Sequence, residues 1–398
     1  MKIDGKTSHN SPSIRFPEFT GEWENKRIGD IGKFFSGGTP SSSRKDFYGG
    51  EIPFIRSGEI HSDKTELFLT QEGYKNSSAK MVEVGDILLA LYGANSGDIS
   101  ISQMRGAINQ AILCIRTNVA PVFFKSVWEK HAQKILNTYL QGGQGNLSAD
   151  IVKKITISIP SQIEQAKIAA LFSHLDERIS IQNRLIDRLQ SLMIGLNNSL
   201  YEQYGNDITT SFMELGYSYS GLSGKSAKDF GSGKPFITYL NVYSNIIVDE
   251  TDYQYVRIND GEKQNIVRTG DVLFTLSSET PEEVGIGSVY LGEKEVYLNS
   301  FCFGIHIERN QLAYSPYLSY YVTSTAFRKF IYPFAQGSTR FNLCKADFEK
   351  ASIKLPSLDN QKRISAMLDC IAEKIQAEKA ILEYYNIQRQ YLLRQMFI

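Results

Sequence analysis

Several groups of residues stand at spacings that invite chemistry. Gly221-Leu222-Ser223-Gly224-Lys225-Ser226 ends as a phosphate-binding loop does, with lysine and hydroxyl after a glycine. Such a loop needs a leading glycine at position 219, where Tyr219 stands, and an apolar strand before it; the sequence has neither. Asp229-Phe230-Gly231-Ser232-Gly233 has the outline of a methyl-donor turn but is one residue short, and no Asn-Pro-Pro-Tyr-like tetrapeptide accompanies it. Glu24-Asn25-Lys26 has nuclease-like Glu-x-Lys spacing without an acidic partner at metal-site distance along the chain. The histidines (His9, His61, His131, His174, His306) are isolated, and the cysteines (Cys114, Cys302, Cys344, Cys370) form no C-x-x-C pair. That pattern argues against zinc and against a disulfide framework. No Ser/His/Asp or Cys/His set is present, so the expectation is a chain with no catalytic residues and no metal of its own.

Binding is the remaining chemistry, and the elements that would position it are written twice. Gly145-Asn146-Leu147 and the strand-like Ile155-Thr156-Ile157-Ser158-Ile159-Pro160 answer Phe341-Asn342-Leu343 and Ala351-Ser352-Ile353-Lys354-Leu355-Pro356. The offset is 196 residues at Asn146/Asn342, Pro160/Pro356 and Gln165/Gln361. Upstream it shrinks stepwise. It is 195 at Gln141-Gly142/Gln336-Gly337, 190 at Asn109/Asn299, 185 at Gly85-Asp86/Gly270-Asp271 and 182 at Pro53-Phe54-Ile55/Pro235-Phe236-Ile237. Small loop insertions between kept elements produce such a drift. Each Gly-Asp reads as a turn and the aliphatic run after it as a strand. Pro121 to Leu140 reads as a helix, and Pro316 to Ile331 as its counterpart.

Each copy then enters a long heptad helix. Phe172, Leu175, Ile179, Gln182, Ile186, Leu189, Met193, Leu196 and Leu200 step by three and four throughout. The second seam is Leu368, Ile371, Ile375, Glu378, Leu382, Tyr385, Arg389, Leu392 and Met396, with its first polar break at the same place, Gln182 against Glu378. A seam of this length needs a partner of equal length, and the other copy supplies one, antiparallel. Ser161 and Glu164 have capping-box spacing, Gly205 is a stop for the first helix, and Gly195 inside it marks a possible kink site. Residues 161–204 as a helix would be roughly 65 Å long. The domains expected are 1–160, a long helix at 161–204, a second globular domain at 205–356 and a long helix at 357–398. The fold class is α+β: two pseudo-repeated mixed α/β domains joined by two long antiparallel coiled-coil helices.

The chain has 398 residues, with 43 basic and 43 acidic side chains. The four segments carry net charges of +3, −1, −3 and +1, so the two globular domains share a plan and differ in surface. A neutral chain is not a self-sufficient polyelectrolyte binder. No signal peptide opens it and no apolar run approaches ~20 residues, which makes a cytoplasmic protein the expectation.

Phe16-Pro17-Glu18-Phe19-Thr20-Gly21-Glu22-Trp23, Gly37-Gly38-Thr39-Pro40, Gly85-Asp86-Ile87-Leu88 and Asn146-Leu147-Ser148 through Pro160, then Glu164-Gln165 and Ile168-Ala169, resemble the specificity (S) subunits of type I restriction–modification systems. The second copy departs from that pattern, with Ser220-Gly221-Leu222-Ser223-Gly224 in place of Gly-Gly-Thr-Pro and Gln361-Lys362-Arg363-Ile364 in place of Gln165-Ala166-Lys167-Ile168. The resemblance implies that each globular domain is a target recognition domain reading half of a split site on double-stranded DNA. It implies that the paired helices set the spacer and dock two methyltransferase (modification) subunits, and that restriction subunits join them. S-adenosylmethionine, ATP and Mg are then expected on those partners and no cofactor on this chain. The seam alone leaves open a two-lobed protein-binding adaptor without a DNA role.

Candidate DNA contacts in the first copy are Ser36, Gly37, Gly38, Thr39 and Ser41, where glycine lets backbone approach phosphate, with Arg44 and Lys45 after them. Arg56 and Ser57 follow one strand-like run, and Tyr92 and Asn95 another. In the second copy they are Tyr239, Asn241, Ser277, Ser278, Ser338, Thr339 and Arg340. Arginine suits guanine and asparagine suits adenine. Gly142-Gly143-Gln144-Gly145 reads as a conformational loop rather than a phosphate cradle, because no helix with free amides clearly follows it.

Overall fold

The computed structural model describes residues 11–140 and 146–398. Gly142-Gly143-Gln144-Gly145 and the Gln141-Gly142 landmark lie outside the described residues. The chain forms two compact units, Met1–Asn183 with Ala380–Ile398, and Arg184–Lys379.

In the first unit an antiparallel sheet has the order β2 (Gly32–Ser36), β9 (Ile112–Thr117), β6 (Ile87–Ala90), β7 (Ile99–Ile101). A second sheet has the order β4 (Phe68–Leu69), β3 (Tyr48–Ile55), β8 (Gly106–Ile108), β5 (Lys80–Val82), with β3 and β8 parallel. β1 (Glu24–Arg27) pairs with β10 (Thr156–Ile159). The short α1 (Gln71–Lys75) and α3 (Ala149–Lys154) and the longer α2 (Pro121–Leu140) complete it. The core gathers Trp23, Phe123, Phe124 and Trp128 with aliphatic residues of β6 and β9.

The second unit repeats the plan. Its antiparallel sheet is β12 (Gly216–Ser220), β19 (Cys302–Ile307), β15 (Val272–Thr275), β17 (Gly287–Val289). β13 (Phe230–Ile237) lies between β14 (Tyr253–Val256) and β18 (Tyr297–Leu298), parallel to the latter. β16 (Ser277–Ser278), β21 (Phe341–Leu343) and β20 (Ala335–Gln336) form a small sheet, and β11 (Ile208–Thr210) pairs with β22 (Ile353–Leu355). The helices are α5 (Phe212–Leu215), α6 (Tyr239–Ser244), α7 (Ser315–Tyr321), α8 (Thr325–Ile331) and α9 (Lys345–Lys350). The core is aromatic, with Phe274, Phe303, Phe327 and Phe348 in mutual ring contact.

Strand register follows the offsets read from the sequence. Leu88 faces Cys114 and Leu273 faces Gly304; Phe54 faces Ala107 and Phe236 faces Tyr297. Both Gly-Asp turns are built alike. Gly85 and Gly270 take φ of 94° and 91°, which only glycine adopts readily. The carboxylates of Asp86 and Asp271 accept the amides of Glu83 and Arg268, three residues back.

The long helices are α4 (Gln162–Tyr204) and α10 (Leu358–Met396), and they pack antiparallel. In the first unit Phe172 of α4 meets Phe397, just past α10, with ring centroids 5.4 Å apart. There Arg389 of α10 grips Asp176 of α4 and Glu129 of α2. In the second unit Met193, Leu196 and Leu200 of α4 join the core that holds Ile364 and Leu368 of α10. Along the seam Phe172, Leu175, Ile186, Leu368 and Ile375 are buried, and Ile179, Leu189, Met193, Leu196, Ile371, Leu382, Tyr385 and Leu392 are half-buried. The helix runs unbroken through Gly195 and stops after Tyr204, where the Gly205 amide bonds to the Tyr201 carbonyl.

Two local expectations are corrected. The stretch from Pro316 to Ile331 is not one helix, because Ser324 caps a new start by accepting the Phe327 amide. Asn197 holds the Tyr320 carbonyl released at the break. At Ser161 only half of the capping box forms. Ser161 accepts the Glu164 amide, while the Glu164 carboxylate turns to the Arg15 guanidinium (2.7 Å, bidentate) and the Trp23 indole (3.3 Å). A buried carboxylate gains more from a guanidinium than from a backbone amide.

Candidate nucleic-acid interface

The loops proposed for contact arise at the ends of the same strands in both units. In the first unit the chain leaves β2 through Ser36 and Gly37, where a Cβ would stand 1.8 Å from the Ile108 carbonyl oxygen. A Cβ at Gly38 would collide with Ser78. Protein packing requires both glycines, and Gly38, buried with its amide donated to the Ile108 carbonyl, is corrected as a phosphate cradle. Gly221 is the counterpart, 2.0 Å from the Asn299 carbonyl oxygen on the same measure. This explains why one glycine survives where Gly-Gly-Thr-Pro does not.

Beyond them Thr39 and Ser41 are exposed, with Thr39 donating to Gln110 at 2.5 Å. Arg44 pairs with Asp46 and lies 4.4 Å over the Phe47 ring, and Lys45 is exposed beside it. Arg56 pairs with Glu59 and Glu66. The Arg56 guanidinium holds the Glu59 carboxyl down to about 2. Exposed pairs of this kind contribute ~0–1 kcal/mol, so a phosphate or base edge can displace the carboxylate. Ser57, Tyr92 and Asn95 are half-buried. The Asn95 amide comes within 3.6 Å of where a Gly58 side chain would begin, so these two loops meet.

In the second unit Tyr239, at the position of Ser57, donates its hydroxyl to the Ser277 carbonyl and stacks on Tyr243 at 5.9 Å. Ser277 and Ser278 are buried in β16, and the Ser278 hydroxyl donates to Glu283, so both are corrected as free contacts. Asn241 is also corrected. It is fully buried, and its amide ties down the 249–252 loop through Asp249 and Asp252. Glu59 does the equivalent work in the first unit for Thr65 and Glu66. Ser338, Thr339 and Arg340 are exposed. Arg340 lies 5.8 Å over the ring of Phe301, an exposed aromatic absent from the sequence-based candidates. Only its place two residues after the repeated Asn299 could have signalled it.

The string resembling a phosphate loop is closed off: Lys225 is buried against Glu262 and the Arg257 carbonyl. Among the described residues no group of three His, Cys, Asp or Glu is placed to hold a metal ion, and all four cysteines are free thiols. No described helix is long and apolar enough to cross a membrane.

Comparison with known proteins agrees with the duplicated layout. The family described as type I restriction modification DNA specificity domain matches residues 20–191 and again 222–384. The type I restriction enzyme MjaIX specificity subunit of Methanocaldococcus jannaschii is 22% identical over 89% of this chain and 88% of its own length. The HindI specificity subunit of Haemophilus influenzae is 28% identical over 43% of this chain and 40% of its own. Among solved structures, the type I restriction–modification S subunit from M. genitalium shares the fold with a TM-score of 0.58 at 15% identity, covering 98% of this chain and 99% of that one. A chain from a study of complex assembly and conformational transition in the type I system gives the same TM-score at 18% identity, over 94% and 97%. With two matched copies that together span most of its length, the chain belongs to the type I restriction–modification DNA specificity family.

Proposed function

We propose that this chain is the non-catalytic specificity subunit of a type I restriction–modification enzyme. Each globular unit is a target recognition domain that reads one half of a bipartite site on double-stranded DNA. The α4/α10 pair sets the unspecified spacer between the halves and docks two methyltransferase subunits, and restriction subunits complete the assembly. S-adenosylmethionine, ATP and Mg act on those partners.

The observation that carries this reading is the duplication itself. Two domains keep one register and differ in the loops between kept strands, which is how one scaffold reads two sequences. The neutral net charge fits a reader whose partners supply much of the phosphate neutralisation that dominates DNA affinity. Thr39, Ser41, Arg44, Lys45, Arg56, Ser57, Tyr92 and Asn95 in the first domain, and Tyr239, Ser338, Thr339 and Arg340 in the second, are the contacts we assign.

The test is expression with the cognate methyltransferase subunit, followed by sequencing of methylated bases. Two short sequences separated by a fixed unspecified gap are expected. A single continuous site, or methylation independent of this chain, would reject the reading.

A further inference from the structure

The repeated asparagine builds a cradle whose tip differs between the domains. In the first, the Asn109 side chain accepts the Ala111 amide, and the Ala111 carbonyl accepts the Leu91 amide. In the second, the Asn299 side chain accepts the Phe301 amide (2.9 Å), and the Phe301 carbonyl accepts the Leu276 amide (2.9 Å). The Leu91 and Leu276 carbonyls in turn accept the Leu147 and Leu343 amides, both at 2.8 Å. One backbone frame thus presents a buried alanine in one copy and an aromatic ring 55% exposed in the other. Hydrogen bonds fix the main chain on both sides of Phe301, and the ring stands outward from it.

Exposing a large ring forgoes apolar burial, a cost the alanine at the matching place avoids. Arg340 stands over that ring and forms no hydrogen bond or ion pair among the described residues. Arg44, Arg56, Arg105 and Arg116 are all neutralised by carboxylates. The Tyr239/Tyr243 stack and the Glu283 carboxylate, bonded by Ser278 and Tyr243, flank the same small sheet. A planar donor fork resting on an aromatic face is preoriented for the paired acceptors of a purine edge.

Resting on the DNA-reading function above, we propose that Arg340 and Phe301 are specificity-determining residues of the second domain. The Arg340 guanidinium donates to O6 and N7 of a guanine in the major groove. Phe301 fixes the plane of the guanidinium and packs its exposed edge against the neighbouring base. Position 111 is the matching place in the first domain, where a buried alanine stands instead.

The experiment uses the chain in complex with its methyltransferase subunit. Methylated sites are mapped for wild type, Arg340→Ala, Arg340→Lys and Phe301→Ala, and binding to a methylatable duplex is measured across a salt series. Arg340→Ala is expected to relax one G·C position in one half-site, cutting discrimination there roughly ten- to hundredfold and leaving the other half-site intact. Arg340→Lys should relax the same position, because a point charge lacks the fork, and Phe301→Ala should relax it and its neighbour. Uniform weakening on all sequences, with the salt slope reduced by about one and the methylated sequence unchanged, would make Arg340 a phosphate contact and overturn the proposal. Changes in both half-sites would also overturn it. If the wild-type complex itself recognises no split site, the broader function has failed instead, and the two failures are separable.

Discussion

His306 of β19 and Asp271 of the turn before β15 face each other with Nδ1 and Oδ1 2.7 Å apart, at the two positions where Arg116 and Asp86 form an ion pair in the first unit. The likeness extends to a third side chain. The Phe35 ring lies 5.1 Å under Arg116, and Tyr219 stacks on His306 at 4.3 Å. The pairs differ in environment. Burial pushes the Asp86 carboxyl up, but the Arg116 guanidinium together with the Glu83 amide and the Cys114 thiol hold it below its usual value. Burial pushes the Asp271 carboxyl above its ordinary value in spite of its donors. Gly304 makes this arrangement fit, since a Cβ there would stand 2.2 Å from the Tyr219 ring.

The Tyr219 hydroxyl donates to Asp271 at 2.7 Å, a bond Phe35 cannot make. Tyr219→Phe removes one donor from a buried carboxylate and should destabilise the second unit by about 1–3 kcal/mol. Phe35→Tyr should change the first unit by much less. Urea unfolding of both variants checks the difference.

Gln361 is completely buried. Its amide nitrogen donates to the Pro356 and Leu312 carbonyls, and its oxygen accepts the Tyr314 amide. Gln165 makes the same links to Pro160 and Ala120. Gln361→Leu leaves three backbone groups unpaired and is expected to cost about 3 kcal/mol, read as a shifted denaturation midpoint. Gln165→Leu should cost slightly less.

Glu59 organises the 56–66 loop. Its folded pKa is lowered, so its contribution is present above the ordinary carboxylate value and lost as pH falls through about 2. Glu59→Gln should loosen this loop by about 1 kcal/mol at pH 7, and the gap should narrow progressively below pH 5. Amide exchange at Thr65 and Glu66, compared at pH 7 and pH 3 after correction for intrinsic rates, checks the sign.

Gly195 sits inside α4 with open space where a Cβ would point. Gly195→Ala should therefore stabilise the chain by about 1 kcal/mol, measurable as a raised Tm. Weakened methyltransferase binding in the same variant would place a partner backbone against this spot.

A heptad inserted near Gln182, matched in α10 near Glu378, should lengthen the recognised spacer and leave both half-sites unchanged. Methylated-site sequencing reads both at once. A change in half-site identity would show that the helices read bases.

Sequence periodicity is informative where one physical rule dominates. The heptads, the Gly-Asp turns and the drifting offsets were legible because helix packing and positive φ tolerate few residue types. The break between α7 and α8 was not, because Val322-Thr323-Ser324 contains neither glycine nor proline and the new start rests on the Ser324 hydroxyl and on Asn198, a residue distant in sequence. Gly38 reads as a phosphate approach because its true partner, the Ile108 carbonyl, is distant in sequence. Asn241 had the right residue type for adenine, yet its partners eight to eleven residues on are visible only once the loop is folded. Phe301 is hard to single out in the sequence because an aromatic between two apolar strand runs reads as core.

The cradle at Asn109 and Asn299 separates what the backbone needs from what its tip shows. All the hydrogen bonds that hold residues 111 and 301 come from main-chain atoms or from the asparagine, and none from the tip side chain. At 301, where the side chain is exposed, such a position can change by point mutation without retuning the core beneath it. On the proposed reading, a lineage carrying this chain could change one half of its methylation pattern in one step, while its partner subunits stay as they are.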